Sequence, residues 1–215
     1  FGPDGAMYFI TGGRGSQSGL YRVTYTGPDV TADPPSAEQV RQSQEAQAAR
    51  QLRRDLEVFQ RRRETGAIDR AWPHQNSEDR WLRFAARLAV ERQDPALWRD
   101  RALGEARPTA AINALLALAR LGRAGDQSDL LAALDRLPLP NLHREQLLDA
   151  MRVCELSFIR QGRPSAADRT RVLARLDHLY PHPSNYINRE MCRLQLYMKA
   201  PDVIPRTNQL IRNAP

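Results

Sequence analysis

Lysine is almost missing from this 215-residue chain: Lys199 is the sole one, and every other basic residue among the 32 is arginine. Against 25 acids the formal charge is +7 and the pI is near 10.1. That balance is compatible with an anionic partner. An arginine set so poor in lysine reads first as the mark of a GC-rich genome, not of phosphate recognition. Cysteine is scarce too. Cys154 and Cys192 lie inside helical patterns, "MRVCELSF" and "REMCRLQL", and read as small buried apolar residues. There is no C-x-x-C, no haem-attaching C-x-x-C-H and no zinc spacing, so these residues offer no thioredoxin-like, c-type haem or zinc-finger chemistry. Long apolar runs are also missing. The stretch "AINALLALA" falls far short of the roughly 20 residues a membrane-spanning helix needs. No charged n-region followed by an apolar h-region opens the chain, and Phe1 reads as an internal position of a longer polypeptide.

What is present divides unevenly. Residues 6–11, "AMYFIT", and 19–25, "GLYRVTY", are rich in aromatic and β-branched residues, with the loop "GGRGSQSG" between them and the turn signal "PDG" before. They predict two strands that need neighbours, because an isolated pair is marginal in water. The loop is a turn device and not a phosphate cradle, since a strand follows where a P-loop needs a helix. Residues 27–36, "GPDVTADPPS", read as a polar linker.

A long helix is expected from about Ala37 to Glu64, with Ser36 as N-cap and Gly66 as the stop. Its apolar stripe is thin: Ala49, Leu52, Leu56 and Phe59. Such a helix lies across another surface or bridges two bodies. Short helices then follow, over about 77–92, 95–103, 108–121, 126–136, 142–161, 165–179, 185–199 and 201–212. Ser77 and Asp126 are candidate caps. Pro95, Pro108, Pro164 and Pro201 suit first turns, and Gly104, Gly122 and Gly162 suit C-terminal ends.

Two stretches align without gaps, "RLAVERQDPALW" from Arg87 and "RLQLYMKAPDVI" from Arg193. Arg87 matches Arg193, Leu88 matches Leu194, Val90 matches Leu196 and Pro95 matches Pro201. An offset of 106 residues is close to three helix pairs of roughly 35, which predicts a HEAT-like α-solenoid.

With these residues in hand, the opening resembles a late blade of the β-propeller in quinoprotein sugar-dehydrogenase-like proteins. The blade pattern falls on Pro3, Asp4, Gly5, Tyr8, Phe9, Gly12, Gly13, Gly19, Tyr21 and Arg22. Together with the stretch Trp72 to Arg87 and "DPALWRDRAL" (Asp94 to Leu103), the chain is similar to large planctomycete and verrucomicrobial membrane-bound dehydrogenase-like proteins. Those join a propeller, a HEAT-repeat region and a cytochrome c domain. The resemblance implies a mainly α fold preceded by a hairpin remnant of a propeller blade. Its segments would be the blade end (1–26), linker (27–36), long helix (37–65) and helical repeats (66–215). It implies a periplasmic or secreted redox parent, a sugar or alcohol dehydrogenase-like oxidoreductase carrying PQQ and c-type haem. Neither cofactor's binding residues nor any catalytic residue falls in this stretch. The segment itself is then a non-catalytic scaffold whose partners are other domains of the same polypeptide or another protein.

Other readings attach to individual residues. Arg50, Arg53, Arg54, Arg61, Arg62 and Arg63 form a candidate interaction patch, or else a solvated face paired with Asp55, Glu57 and Glu64. Exposed Trp72, Trp81 and Trp98 would stack on bases, as in a basic HEAT-like nucleic-acid binder of the alkylpurine DNA glycosylase type. At helical spacing beside Leu82, Phe84, Leu88 and Leu97 they read instead as core, and nucleic acid is not the expected partner. His178 and His182 lie four apart, but Pro181 and Pro183 break the helix between them, so no metal is assigned. His74 reads as a loop residue that caps or packs, and His143 as an exposed residue in a first turn.

Overall fold

The computed structural model describes residues 2, 4–15, 17–27, 34 and 36–212. The linker expected over 27–36 lies mostly outside them, as does Pro3 of the turn signal. The chain divides into two compact units, Phe1–Gln44 and Glu45–Pro215, with the division inside the first helix.

In the first unit, β1 (Met7–Thr11) pairs antiparallel with β2 (Gly19–Val23), Met7 opposite Val23 and Thr11 opposite Gly19. Side chains alternate between faces. Phe9 stacks on Tyr21 at 5.1 Å on one face. On the other, Asp4 accepts from the Tyr8 hydroxyl at 2.7 Å and from Arg22 at 2.9 Å. Both faces stay open: Phe9 and Tyr21 are 41% and 50% exposed on the first, and Ile10 and Leu20 76% and 71% on the second.

Helix α1 (Ala37–Val58) starts as expected. Ser36 Oγ accepts from Gln39 N–H, and Gln39 Oε1 accepts from Ser36 N–H, a reciprocal cap. It stops at Val58, earlier than Glu64, because the chain tightens into i→i+3 bonds from Phe59 to Arg61. Gln93 then donates to the freed carbonyls of Phe59 and Arg62. Gly66, expected to end this helix, instead precedes α2 (Ala67–Ala71) with φ of 81°. That helix and the 3-10 turn Trp72–Asn76 are too short to show a period in sequence.

The remaining helices are α3 (Arg80–Glu91), α4 (Arg99–Gly104), α5 (Pro108–Leu121), α6 (Gln127–Asp135), α7 (Arg144–Arg160), α8 (Ala166–Asp177), α9 (Asn185–Tyr197) and α10 (Val203–Arg212). Asp79, not Ser77, caps α3, accepting from Trp81 and Leu82 N–H. Asp126 makes no cap bond to α6; its carboxylate takes Arg99 instead. Pro108 occupies a first turn as expected, whereas Pro164 precedes the cap Ser165 and Pro201 precedes α10.

Contacts at both ends set the direction of neighbouring helices. At the start of α5, Asn113 donates to Arg83 O in α3, and at the ends Arg120 lies 3.1 Å from Glu91. Gln146 in α7 donates to Thr109 Oγ1 in α5, and Gln161 after α7 donates to Leu118 O near the end of α5. The Arg144 guanidinium lies 5.7 Å from the Tyr186 ring, and Phe158 stacks on Tyr197 at 5.5 Å, joining α7 to α9. Thus α3, α5, α7 and α9 run parallel in one row. A second row runs α4, α6, α8. Arg99 reaches Asp126 and Ser128 reaches Asp168 at the starts; Arg136 reaches Leu103 O and Arg175 reaches Leu137 O at the ends. Parallel neighbours need a return helix between them, and the second row supplies it.

The core lies between the rows. Trp98 and Trp72 are buried as expected, at 0% and 3% exposure. Trp81, Phe84 and Leu97 are not core: they are 55%, 49% and 71% exposed. The buried stripe of α3 is Leu82, Ala85, Ala86, Ala89 and Val90, which turns residues 81 and 84 outward under the guanidinium groups of Arg80 and Arg87.

Burial also shifts the internal repeat by one residue. Leu82, Ala86, Ala89, Gln93 and Trp98 are buried, and so are Ile187, Met191, Leu194, Met198 and Val203, each 105 residues later. At the gapless offset of 106, buried Arg87 would match exposed Arg193, and buried Trp98 would match exposed Ile204. One residue changes the helix face by about 100°, so these buried positions correspond at a spacing of 105 and not of 106.

Replacing Gln161 with Leu strands Ser157 Oγ and leaves Leu118 O with the Gly122 N–H alone. It should cost about 1–3 kcal/mol in urea unfolding. A Cβ on Gly122 would fall 2.5 Å from Leu118 O and 2.9 Å from Gln161 Nε2. Gly122→Ala should therefore destabilise by about 1–3 kcal/mol. The hydrophobic core draws its residues from Leu56 onward, so deleting residues 1–26 should leave the helical circular dichroism signal almost unchanged.

Candidate interaction cleft

The starts of α3, α5 and α7 meet around a cleft of about 510 Å³. Local structure pins most of its polar wall. Arg83 donates to the carbonyls of Ser77 and Glu78, holding the loop before α3. Asn113 donates to Gln75 Oε1 at 2.8 Å as well as to Arg83 O. His143 is the N-cap of α7, its Nδ1 accepting from Gln146 N–H while Gln146 Oε1 takes His143 N–H.

Three carboxylates remain: Glu78, Glu145 and Asp149. Its own backbone N–H in the first turn holds the Glu145 carboxyl low, with Arg144 and His143 beside it adding to that. Asp149 sits beyond the first turn. Surrounding protein pushes its carboxyl up by desolvation, although Arg83 and Arg87 pull the other way. Ser77 and Thr109 spend their hydroxyls as acceptors, and His143 is committed to its cap. Neither hydroxyl is hydrogen-bonded to His143 or to one of the three carboxylates.

Further along the same helices, Glu91 lies between Arg87, at 3.5 Å, and Arg120, at 3.1 Å. Desolvation raises the Glu91 carboxyl and lowers the Arg87 guanidinium even though each favours the other's charge. Burial outweighs pairing on both sides, as expected for ions drawn out of water. Glu105 is the opposite case. Arg107 at 2.8 Å is the main cause, and the Trp72 indole N–H at 2.9 Å adds to it; its carboxyl falls to about 2.

The six arginines of the candidate patch do not act alike. Arg50, Arg53 and Arg54 lie on α1, where Arg53 pairs with Glu57 at 3.3 Å and Arg54 donates to Gln51. Arg61, Arg62 and Arg63 follow the helix end, exposed, with Arg62 paired to Glu64. His178 is the C-cap of α8, and His182 Nδ1 accepts from Ser184 N–H. Among the described residues no group of three or more His, Cys, Asp or Glu is placed to hold a metal. No described helix is long and apolar enough to cross a membrane. Cys154 is buried, as expected, and its thiol is pushed up to about 12; Cys192 is half-buried.

The cleft residues carry no spacing motif; only Ser77, as a candidate cap, and His143, as an exposed first-turn residue, stand out among them in the sequence. The one available signal is the run Arg83, Arg87, Glu91 at helical intervals. The chain matches no protein-family model, no curated protein and no solved structure.

Two solution tests follow. Glu105 has a folded carboxyl depressed below its ordinary 4.5, so its contribution is complete above that pH and is lost as pH falls toward 2. Glu105→Gln should destabilise at pH 7 by about 1–2 kcal/mol and flatten the acid limb of a urea-stability profile. A thiol-reactive dye should modify Cys192 in the native protein and reach Cys154 only after denaturation.

Proposed function

We propose that the segment is a non-catalytic helical-repeat scaffold, a HEAT-type α-solenoid. In this reading it joins a propeller dehydrogenase-like domain to a cytochrome c domain in a secreted or periplasmic redox protein. The observation that carries the repeat reading is the pair of parallel rows, stitched end to end by side chains that recur with the helices. The 105-residue recurrence of the buried positions supports it. The hairpin supports the propeller part. Apolar side chains on both faces suit a strand pair covered on two sides, and the two strands leave ladder groups unpaired at their outer edges.

The cleft suits binding to protein better than to nucleic acid. Glu78, Glu145 and Asp149 would repel a phosphate backbone, and of three tryptophans only Trp81 is open for stacking. The coding sequence on either side tests the linking role. Further propeller blades upstream and C-x-x-C-H downstream are expected; a parent lacking both overturns it. DNA binding at low salt that weakens steeply as salt rises would favour the glycosylase-type reading instead.

A further inference from the structure

A second hollow, of about 250 Å³, lies where the start of α8 meets the turn after α9. Arg163, Arg169 and Lys199 line it with Tyr197, and no acid does. Every arginine that holds the second row together is matched to a carboxylate or a carbonyl. Among the described residues, Arg163, Arg169 and Lys199 have no ion pair. Ordinary helix electrostatics does not account for them together. A cation is favoured at a helix C-terminus, which covers Arg163 after α7 and Lys199 after α9. Arg169 is the fourth residue of α8, at the end where the helix field is positive and a cation is disfavoured.

Lys199 adds a second oddity. It has φ of 55°, the one non-glycine residue with positive φ among those described. Its N–H bonds Leu196 O, and Ala200 N–H bonds Gln195 O. That is the Schellman close of a helix, whose left-handed position glycine fills without strain. The only lysine of the chain stands there instead. Tyr197 gives one ring face to Phe158 and remains 47% exposed.

We infer that this hollow binds a phosphate monoester carried on a flat ring. The two guanidinium groups offer forked donors to phosphate oxygens, and Lys199 adds a mobile ammonium. The free face of Tyr197 stacks on the ring. A volume of about 250 Å³ is below the roughly 300–1,000 Å³ of sites for whole drug-sized ligands, so it seats the phosphate and its ring and leaves the rest of the molecule outside.

Titration of the full chain with phenyl phosphate and inorganic phosphate at low salt, followed by calorimetry or amide NMR, tests this. Saturable binding is expected at about 1–10 mM, tighter for phenyl phosphate. Arg169→Gln and Lys199→Gly should each weaken it about five- to tenfold, and Tyr197→Leu should abolish the preference for phenyl phosphate. Lys199→Gly relieves the backbone, so its melting temperature should equal or exceed that of the parent, which separates lost binding from lost folding. Arg54→Gln should bind like the parent. Non-saturating binding, equal weakening by Arg54→Gln, or undiminished affinity in Lys199→Gly overturns the proposal. So does binding to a short single-stranded oligonucleotide without any to phenyl phosphate.

Discussion

Helix ends leave carbonyls without partners, and when the ends lie inside a packed row water cannot satisfy them. The rest of this fold depends on how that demand is met. Three buried glutamines help to meet it, Leu118 O and Ser157 O also keeping the backbone N–H of Gly122 and Gln161. Gln93 ties α3 to the turn after α1, Gln161 ties α7 to α5, and Gln127 at the start of α6 donates to Ser157 O and Gly162 O after α7. Arginines do the same in the second row, where water is nearer and a charge is tolerated. Gln161, Arg136 and Arg175 each reach a carbonyl at the matching end of a parallel neighbour and so fix both spacing and direction, whereas Gln127 joins the start of α6 to the end of α7. Parallel rows follow, and the return helices follow from the rows.

Much of the architecture was legible in the sequence where helix punctuation is chemical. Pro108 and Gly122 bound α5 at the residues expected, and Ser36 caps α1. The misplaced boundaries share a physical origin. The early end of α1 is set by Gln93, which is remote in sequence, and α2 is shorter than two turns. Trp81, Phe84 and Leu97 show the limit of reading apolar character as burial. An arginine lying on an aromatic ring lets that ring stay at the surface, and nothing in residue type announces it. The offset of 106 against 105 makes the same point about repeats, since letters aligned on Arg87 and Arg193, one buried and one exposed.

The candidate sites were less legible because they are assembled across helices. The carboxylates of the cleft come from a loop before α3 and from α7, and no local motif joins them. The basic hollow draws on the α7–α8 loop, α8 and the turn after α9. What the composition did record was the imbalance itself, a charge of +7. The structure spends somewhat more than half of its arginines on acids and backbone carbonyls, while others, Arg50, Arg61, Arg63, Arg163 and Arg169 among them, show neither.

The single lysine has a practical corollary. Amine-directed reagents that act on lysine side chains have one destination in this chain, in a turn whose backbone angles are set by four hydrogen-bonding groups. A dye or cross-linker placed there reports from a known point beside α8 and α9 without any engineering of the sequence. For a protein whose neighbours are to be found, that residue is a ready-made surveying mark.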